Sequence, residues 1–91
     1  MATTLDIGAD YYYLNATDYA TFAAAVEDDP DFSLADFGVL EVTQQGYAGY
    51  YFPKMEIDGG TEGDEWAMLS VYQSFTFAVV WTSVQANYIG A

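Results

Sequence analysis

The chain has 91 residues, 53% of them apolar, and carries 14 acidic side chains against one basic one, for a formal net charge of −13. Cysteine and histidine are absent, which excludes disulfides, thiol chemistry and imidazole bases and leaves zinc without its usual ligands. The lack of cations also argues against direct binding to nucleic acid or anionic lipid. We expect one compact domain over residues 1–91, with no cofactor.

The acidic composition has two further implications. High net charge is typical of disorder, but 19% aromatic residues, including nine tyrosines, are more than a solvated chain carries, so the chain should fold. A strongly acidic surface also keeps a protein soluble in concentrated salt, where screening relieves self-repulsion. We therefore expect a saline setting, halophilic or marine, and a basic surface on any partner that binds electrostatically.

The N-terminal third predicts two short strands followed by a helix. Residues 3–7 and 10–14 favour extended structure because they are rich in tyrosine and β-branched side chains. A helix should then run over about residues 17–28, with Thr17 as its N-cap and Pro30 preventing its continuation. Its apolar residues have the i, i+3, i+4, i+7 spacing of a stripe that packs on a sheet: Tyr19, Phe22, Ala23 and Val26.

The middle of the chain predicts a turn and a hairpin. Ser33 and Asp36 have the spacing of a capping box, and a glycine follows, which predicts one capped helical turn. Residues 39–43 and 47–57 predict the two arms of a hairpin. Because Pro53 cannot donate to a strand ladder, we expect the second arm to be an edge strand or to carry a bulge there.

Residues 58–65 are rich in glycine and acidic side chains, which predicts an exposed loop without core residues. Carboxylates gathered there could bind a hard cation such as calcium. The spacing does not match an EF-hand, since counting from Glu56 puts Thr61 where that motif needs glycine. A solvated acidic loop is the alternative reading. The weak metal candidates are Glu56, Asp58, Glu62, Asp64 and Glu65.

Residues 66–91 carry no charge. Their length would suit a membrane span, but polar residues interrupt the segment and no basic residue flanks it, so we expect no span. We see no signal peptide, and the localisation stays open. Alternation over residues 75–82 predicts a strand that is apolar on both faces, either central in the sheet or covered by a neighbouring subunit. A helix from residue 64 through 74 is the alternative for the start of this segment.

Lys54 is the only cation, and two roles suit it. A desolvated lysine can form a Schiff base, whereas a lysine near acidic residues usually forms an ion pair, with Glu56 or another carboxylate. Without histidine no serine or threonine has an activating base, and the dense carboxylates around residues 27–31 look solvated rather than catalytic. We therefore predict a protein that is not an enzyme.

These patterns together predict an α+β fold, a small antiparallel sheet with one amphipathic helix (about 17–28) packed on it. The function we expect is that of a non-enzymatic structural subunit that forms homo-oligomers or larger assemblies, such as a capsid-decorating, capsid or tail protein of a virus from a saline environment. The alternative is an acidic mimic of DNA that inhibits a nucleic-acid-binding protein. The interface candidates are Tyr50, Tyr51, Phe52, Phe75, Phe77, Val79, Trp81 and Tyr88.

Overall fold

A computed structural model describes residues 2–4, 9–60, 64–80 and 84–90, with the backbone alone for residues 2–4, 9, 79 and 80. Within these residues the chain has the predicted α+β fold, an antiparallel sheet with helices packed on it. The elements are β1 (Ala2–Thr4), β2 (Ala9–Leu14), α1 (Ala16–Glu27), a 3₁₀ turn (Leu34–Phe37), β3 (Leu40–Val42), β4 (Gly49–Pro53), α2 (Lys54–Asp58), α3 (Glu65–Ser70), β5 (Thr76–Val80) and β6 (Gln85–Tyr88).

The described strands form one six-stranded sheet in the order β1-β6-β3-β4-β2-β5. Every pairing is antiparallel, and the central strand β2 places Tyr12 opposite Phe52 of β4 and Phe77 of β5. Because successive side chains of a strand point to opposite faces, these three lie on the same face, the one that the helices cover. The strand order leaves β1 and β5 at the two edges.

Helix α1 begins one residue earlier than predicted, at Ala16, because its N-cap is Asn15 and not Thr17. The Asn15 Oδ1 atom accepts a hydrogen bond from the backbone N–H of Asp18 at 2.8 Å. Asparagine is the stronger capping residue of the two, and its side chain reaches the N–H three residues ahead. The helix ends at Glu27, before the proline, as predicted.

The predicted apolar stripe of α1 is confirmed, since Tyr19, Phe22 and Val26 are buried and Ala23 packs against the same cluster. Phe22 lies at the centre. Its ring makes edge-to-face contacts with three other aromatic rings, at centroid distances of 5.0, 5.4 and 5.9 Å from Phe37, Phe52 and Tyr72. Such contacts contribute beyond the area that they bury.

A second buried cluster occupies the opposite face of the sheet. Its residues come from β2, β3, β4, β6 and the residue before β6, and Ala78 of β5 packs against them. These strands extend across most of the described sheet. The sheet thus buries apolar side chains on both faces. The buried members are Tyr11, Leu40, Val42, Tyr51, Val84 and Ala86.

The predicted hairpin is confirmed for β3 and β4, where Leu40 lies opposite Tyr51. The expectation that the second arm is an edge strand or bulged is wrong, because β4 pairs with β3 on one side and β2 on the other. Pro53 is tolerated because it is the last residue of β4 and the N-cap of α2. Residues 54–57, predicted as strand, are helical, and Ile57 is buried against the helix-side core.

The capped turn is confirmed, with the Ser33 N–H donating to the Asp36 carboxylate at 2.9 Å and Gly38 at a φ of 61°. The helix alternative is confirmed in part by α3, which ends at Ser70 rather than near residue 74. The central position predicted for the strand within residues 75–82 is wrong within the described structure, where β5 lies at an edge of the sheet and pairs with β2. Parts of the predicted strands and loop, residues 5–7, 61–63 and 81–82, lie outside the described residues. In the part of the chain that the structure covers, no helix has the length and apolarity needed to cross a bilayer.

The ring stack of Tyr19 on Tyr50 leads to a prediction at alkaline pH. Their centroids are 3.7 Å apart at an interplanar angle of 5°, and the Tyr50 hydroxyl donates to Glu41 at 3.1 Å. Burial, and then the neighbouring Tyr50, raise the pKa of Tyr19 from 10.0 to about 12. Since the unfolded chain ionises first, this contribution to stability is complete below pH 10 and is lost as pH rises toward about 12.

We therefore expect the melting temperature of the wild-type chain to fall through this alkaline range. The melting temperature of Tyr19→Phe should fall less steeply there, because phenylalanine cannot ionise. Circular dichroism melts combined with the tyrosinate absorbance near 295 nm would measure both. Equal slopes for the two proteins would contradict the assignment to Tyr19.

Candidate assembly surface

The outer edge of β5 is an open edge of the described sheet. It pairs with no other strand among the described residues, and it contains neither a charged residue nor a proline. Natural proteins usually protect sheet edges with charges, prolines, bulges or short strands. Over its described residues, Thr76–Val80, β5 has none of the first three devices.

An aromatic platform, which we define as Trp66, Phe75 and Phe77, lies beside this edge on the helix face. Trp66 and Phe77 are 49% and 53% exposed, and the Trp66 ring meets Phe75 edge to face at 6.1 Å. Below them Tyr12 stacks on Phe75 at 4.8 Å and meets Phe77 edge to face at 6.3 Å. The platform is therefore a packed group of rings with two members half open to solvent.

Lys54 is linked through Asp58 to Tyr12, the ring that lies beneath this platform. Its Nζ lies 2.6 Å from Asp58 Oδ2, and the other oxygen of Asp58 accepts a hydrogen bond from the Tyr12 hydroxyl at 2.9 Å. The predicted ion pair is thus confirmed, with Asp58 rather than Glu56. The Lys54 ammonium lowers the pKa of Asp58, the bond to Asp58 raises the pKa of Lys54, and burial, ahead of that carboxylate, raises the pKa of Tyr12.

Lys54→Gln should change the melting temperature little at neutral pH, because the ion pair is exposed to solvent. The effect of Lys54→Gln on the melting temperature should appear at acidic pH. The lowered pKa of Asp58 gives stability that is present above about pH 4 and lost as pH falls through the folded pKa. Glutamine should weaken that acid dependence, measured by melting curves from about pH 2 to 5. Glu56→Gln, on the same helix, is the control. An equal effect of both changes would contradict the pairing with Asp58.

The other interface candidates lie in different environments. Phe52 and Tyr51 are buried on the central strand β4, so they serve the chain's own core, and Tyr50 is half-buried against Tyr19. Tyr88 is 51% exposed, but its strand β6 has partners on both sides. For Val79 the backbone alone is described, and Trp81 lies outside the described residues. Sequence reasoning missed Trp66, whose signal was an aromatic residue at the first turn of a candidate helix.

The acidic candidates for a cation site are dispersed. Asp58 is engaged with Lys54 and Tyr12, Glu56 and Asp64 are exposed, and Glu62 lies outside the described residues. Among the residues that the structure covers, no three acidic side chains come together in a way that could hold a metal ion. The solvated acidic loop is the better reading for Glu56 and Asp64, but it is wrong for Glu65.

Glu65 is 1% exposed although it lies in a segment predicted to be a solvated loop. Its carboxylate packs so closely on Gly60 that a Cβ there would collide with it. Its Oε1 atom has no hydrogen-bond partner in the described structure. The first turn of α3 draws the side chain inward because neighbouring Leu69 and Ile57 enter the core.

We expect Glu65→Gln to raise the free energy of unfolding by about 1–2 kcal/mol, because a neutral amide of the same shape lowers the cost of burying a carboxyl group whose Oε1 has no partner among the described residues. Chemical denaturation at neutral pH would measure the change. Asp64→Asn, at the exposed neighbouring position, should have almost no effect. A clear loss of stability in Glu65→Gln would show that the carboxylate has a partner.

Comparison of the chain with protein-family models, with curated proteins and with solved structures gives no match in any of the three.

Proposed function

We propose that this protein is a non-enzymatic structural subunit that assembles through protein–protein contacts at the β5 edge and the aromatic platform. The observation that carries the proposal is the combination of an uncharged, unprotected edge strand with a half-exposed tryptophan and phenylalanine beside it. Exposed aromatic side chains of this size are enriched at interfaces, and open strand edges pair readily with other strands. Both features suit a subunit whose function is to bind other protein subunits.

The chemistry available elsewhere supports a role without catalysis. A surface groove of about 670 Å³ lies beside Lys54, but the lysine there is already bound to Asp58. No histidine or cysteine is present to act as base or nucleophile. The groove therefore offers no activated group to a substrate. Its lining residues are Asp10, Tyr11, Pro53, Lys54, Met55, Asp58 and Gly59.

The setting that we propose is a virion component, for capsid decoration, the capsid or the tail, from a saline-environment virus or host. The net charge of −13 supports the saline part, because copies of such a chain repel one another until salt screens them. The virion part is proposed because a shell or tail that repeats one small subunit would multiply a modest contact into a large assembly.

Sedimentation velocity over a wide range of protein concentrations, from about 0.1 to 2 M NaCl, tests this function. We expect defined oligomers that grow in abundance with concentration and with salt. A monomer under all these conditions, with no binding to a larger scaffold, would contradict the proposal. Capture of a nucleic-acid-binding protein that weakens as salt rises would instead favour the acidic mimic of DNA.

A further inference from the structure

We propose that two copies of this chain join edge to edge, with β5 of one copy pairing antiparallel to β5 of the other and continuing the sheet across a two-fold axis. This inference rests on the proposed function and names the partner and the contact. It follows from the position of β5 at the edge of the described sheet and from the charge distribution.

The distribution of charge favours a second copy over a basic partner. All 14 acidic residues lie at or before position 65, so residues 66–91, which include β5, are neutral. A basic partner would find no opposite charge on this strand. Two acidic copies, by contrast, can approach here without bringing like charges into direct contact. The acidic residue nearest in register is Asp10, on the adjacent strand β2 opposite Val79, and the repulsion that remains makes the pairing salt-dependent.

We propose a register centred on Ala78. The described residues of β5, Thr76–Val80, all pair with those of a second copy when Ala78 lies opposite Ala78 and Thr76 opposite Val80. Opposite residues of an antiparallel pair point to the same face, so the helix faces of both copies lie on one side of the joined sheet. Phe77 of each copy then faces that side near the junction, and the two aromatic platforms become neighbours.

Disulfide trapping tests the register directly, because the chain contains no cysteine of its own. In Ala78→Cys the two sulfurs would meet across the axis, where opposite Cα atoms of paired strands are about 4.5–5.5 Å apart, within the range that a disulfide spans. We expect a covalent dimer after mild oxidation. Phe77→Cys is the matched control, since diagonal positions are about 7–8 Å apart and should not crosslink. Crosslinking of Phe77→Cys with none in Ala78→Cys would overturn this register.

A charge placed on the edge tests the surface. Phe77→Glu and Tyr88→Glu make the same change at strand aromatics of nearly equal exposure, 53% and 51%, but Tyr88 lies on a strand with two partners. We expect Phe77→Glu to weaken dimerisation at least tenfold and Tyr88→Glu to leave it unchanged, by sedimentation equilibrium. The wild-type dimer should strengthen as NaCl rises.

The outcomes separate this inference from the proposed function. Oligomers that persist in Phe77→Glu, with no Ala78→Cys crosslink, would overturn edge pairing while the assembly function stands. A wild-type chain that stays monomeric and binds no scaffold would overturn both. Loss of assembly in Tyr88→Glu alone would move the interface to β6 and overturn edge pairing.

Discussion

Replacing Phe22 by alanine should lower the free energy of unfolding by about 3–5 kcal/mol, the largest stability effect that we expect in this chain. Phe22 is completely buried, and its ring meets the rings of Phe37, Phe52 and Tyr72 edge to face. The change removes the apolar burial and these ring contacts together, and the rigid rings around the site cannot close the cavity. Because a small domain is stable by about 5–15 kcal/mol, this loss is a large fraction of the total stability.

Urea denaturation followed by circular dichroism would measure this loss. Phe77→Ala is the matched control, because it removes the same atoms from a ring that is half exposed and should change the free energy of unfolding by less than about 1 kcal/mol in the monomer. Equal losses in the two variants would contradict the placement of Phe22 at the centre of the core and of Phe77 at its surface.

Gly49→Ala should lower the free energy of unfolding by about 3 kcal/mol for two reasons that act together. Gly49 has a φ of 146°, which residues other than glycine rarely adopt. It also lies in β4 where the Tyr13 ring occupies the position that a Cβ would take. The Tyr13 hydroxyl donates to the Ala48 carbonyl at 3.1 Å, and the ring also meets Tyr51 at 5.3 Å. Alanine would displace that ring and break both contacts.

Gly46→Ala separates the two causes. Gly46 also has a positive φ, 89°, but nothing lies within 4 Å of the position of its Cβ. Its replacement should therefore lower the free energy of unfolding by only about 1 kcal/mol, the backbone contribution alone. Thermal melts of both variants would measure the difference. If Gly46→Ala were as harmful as Gly49→Ala, the ring contact would carry none of the effect.

Phe22 and Gly49, the sites of the two strongest stability predictions, pack on or belong to the sheet that also forms the proposed assembly surface. Phe52 of β4 contacts Phe22 in the core, and Tyr12, opposite Phe52 on β2, supports Phe75 and Phe77 at the edge. The core and the platform are therefore joined through Phe52 and Tyr12, which are cross-strand neighbours on one face of the sheet. The core thus provides a rigid base for the platform, which lowers the entropy that an interface must overcome on binding.

Several features of the molecule could be derived from local sequence. The stripe of Tyr19, Phe22 and Val26 identified α1, and Ser33 with Asp36 identified the capped turn, because both patterns depend on residues within one or two helical turns. The absence of histidine and cysteine, and the neutral C-terminal segment, could also be read directly. The assembly function, the single domain and the saline setting stay predictions.

The tertiary structure alone decided the features on which the candidate site depends. The position of β5 at the edge of the sheet follows from its pairing with β2, which lies more than 60 residues earlier, and alternation over residues 75–82 was equally consistent with a central strand. The meeting of Lys54 and Asp58 with Tyr12 and the burial of Glu65 beside Gly60 likewise depend on how distant segments pack. Local spacing determined the helix α1, its buried face and the capped turn, because the contacts involved lie within a few residues. Strand order and the environment of each side chain depend on contacts between distant residues, and no local pattern encodes them.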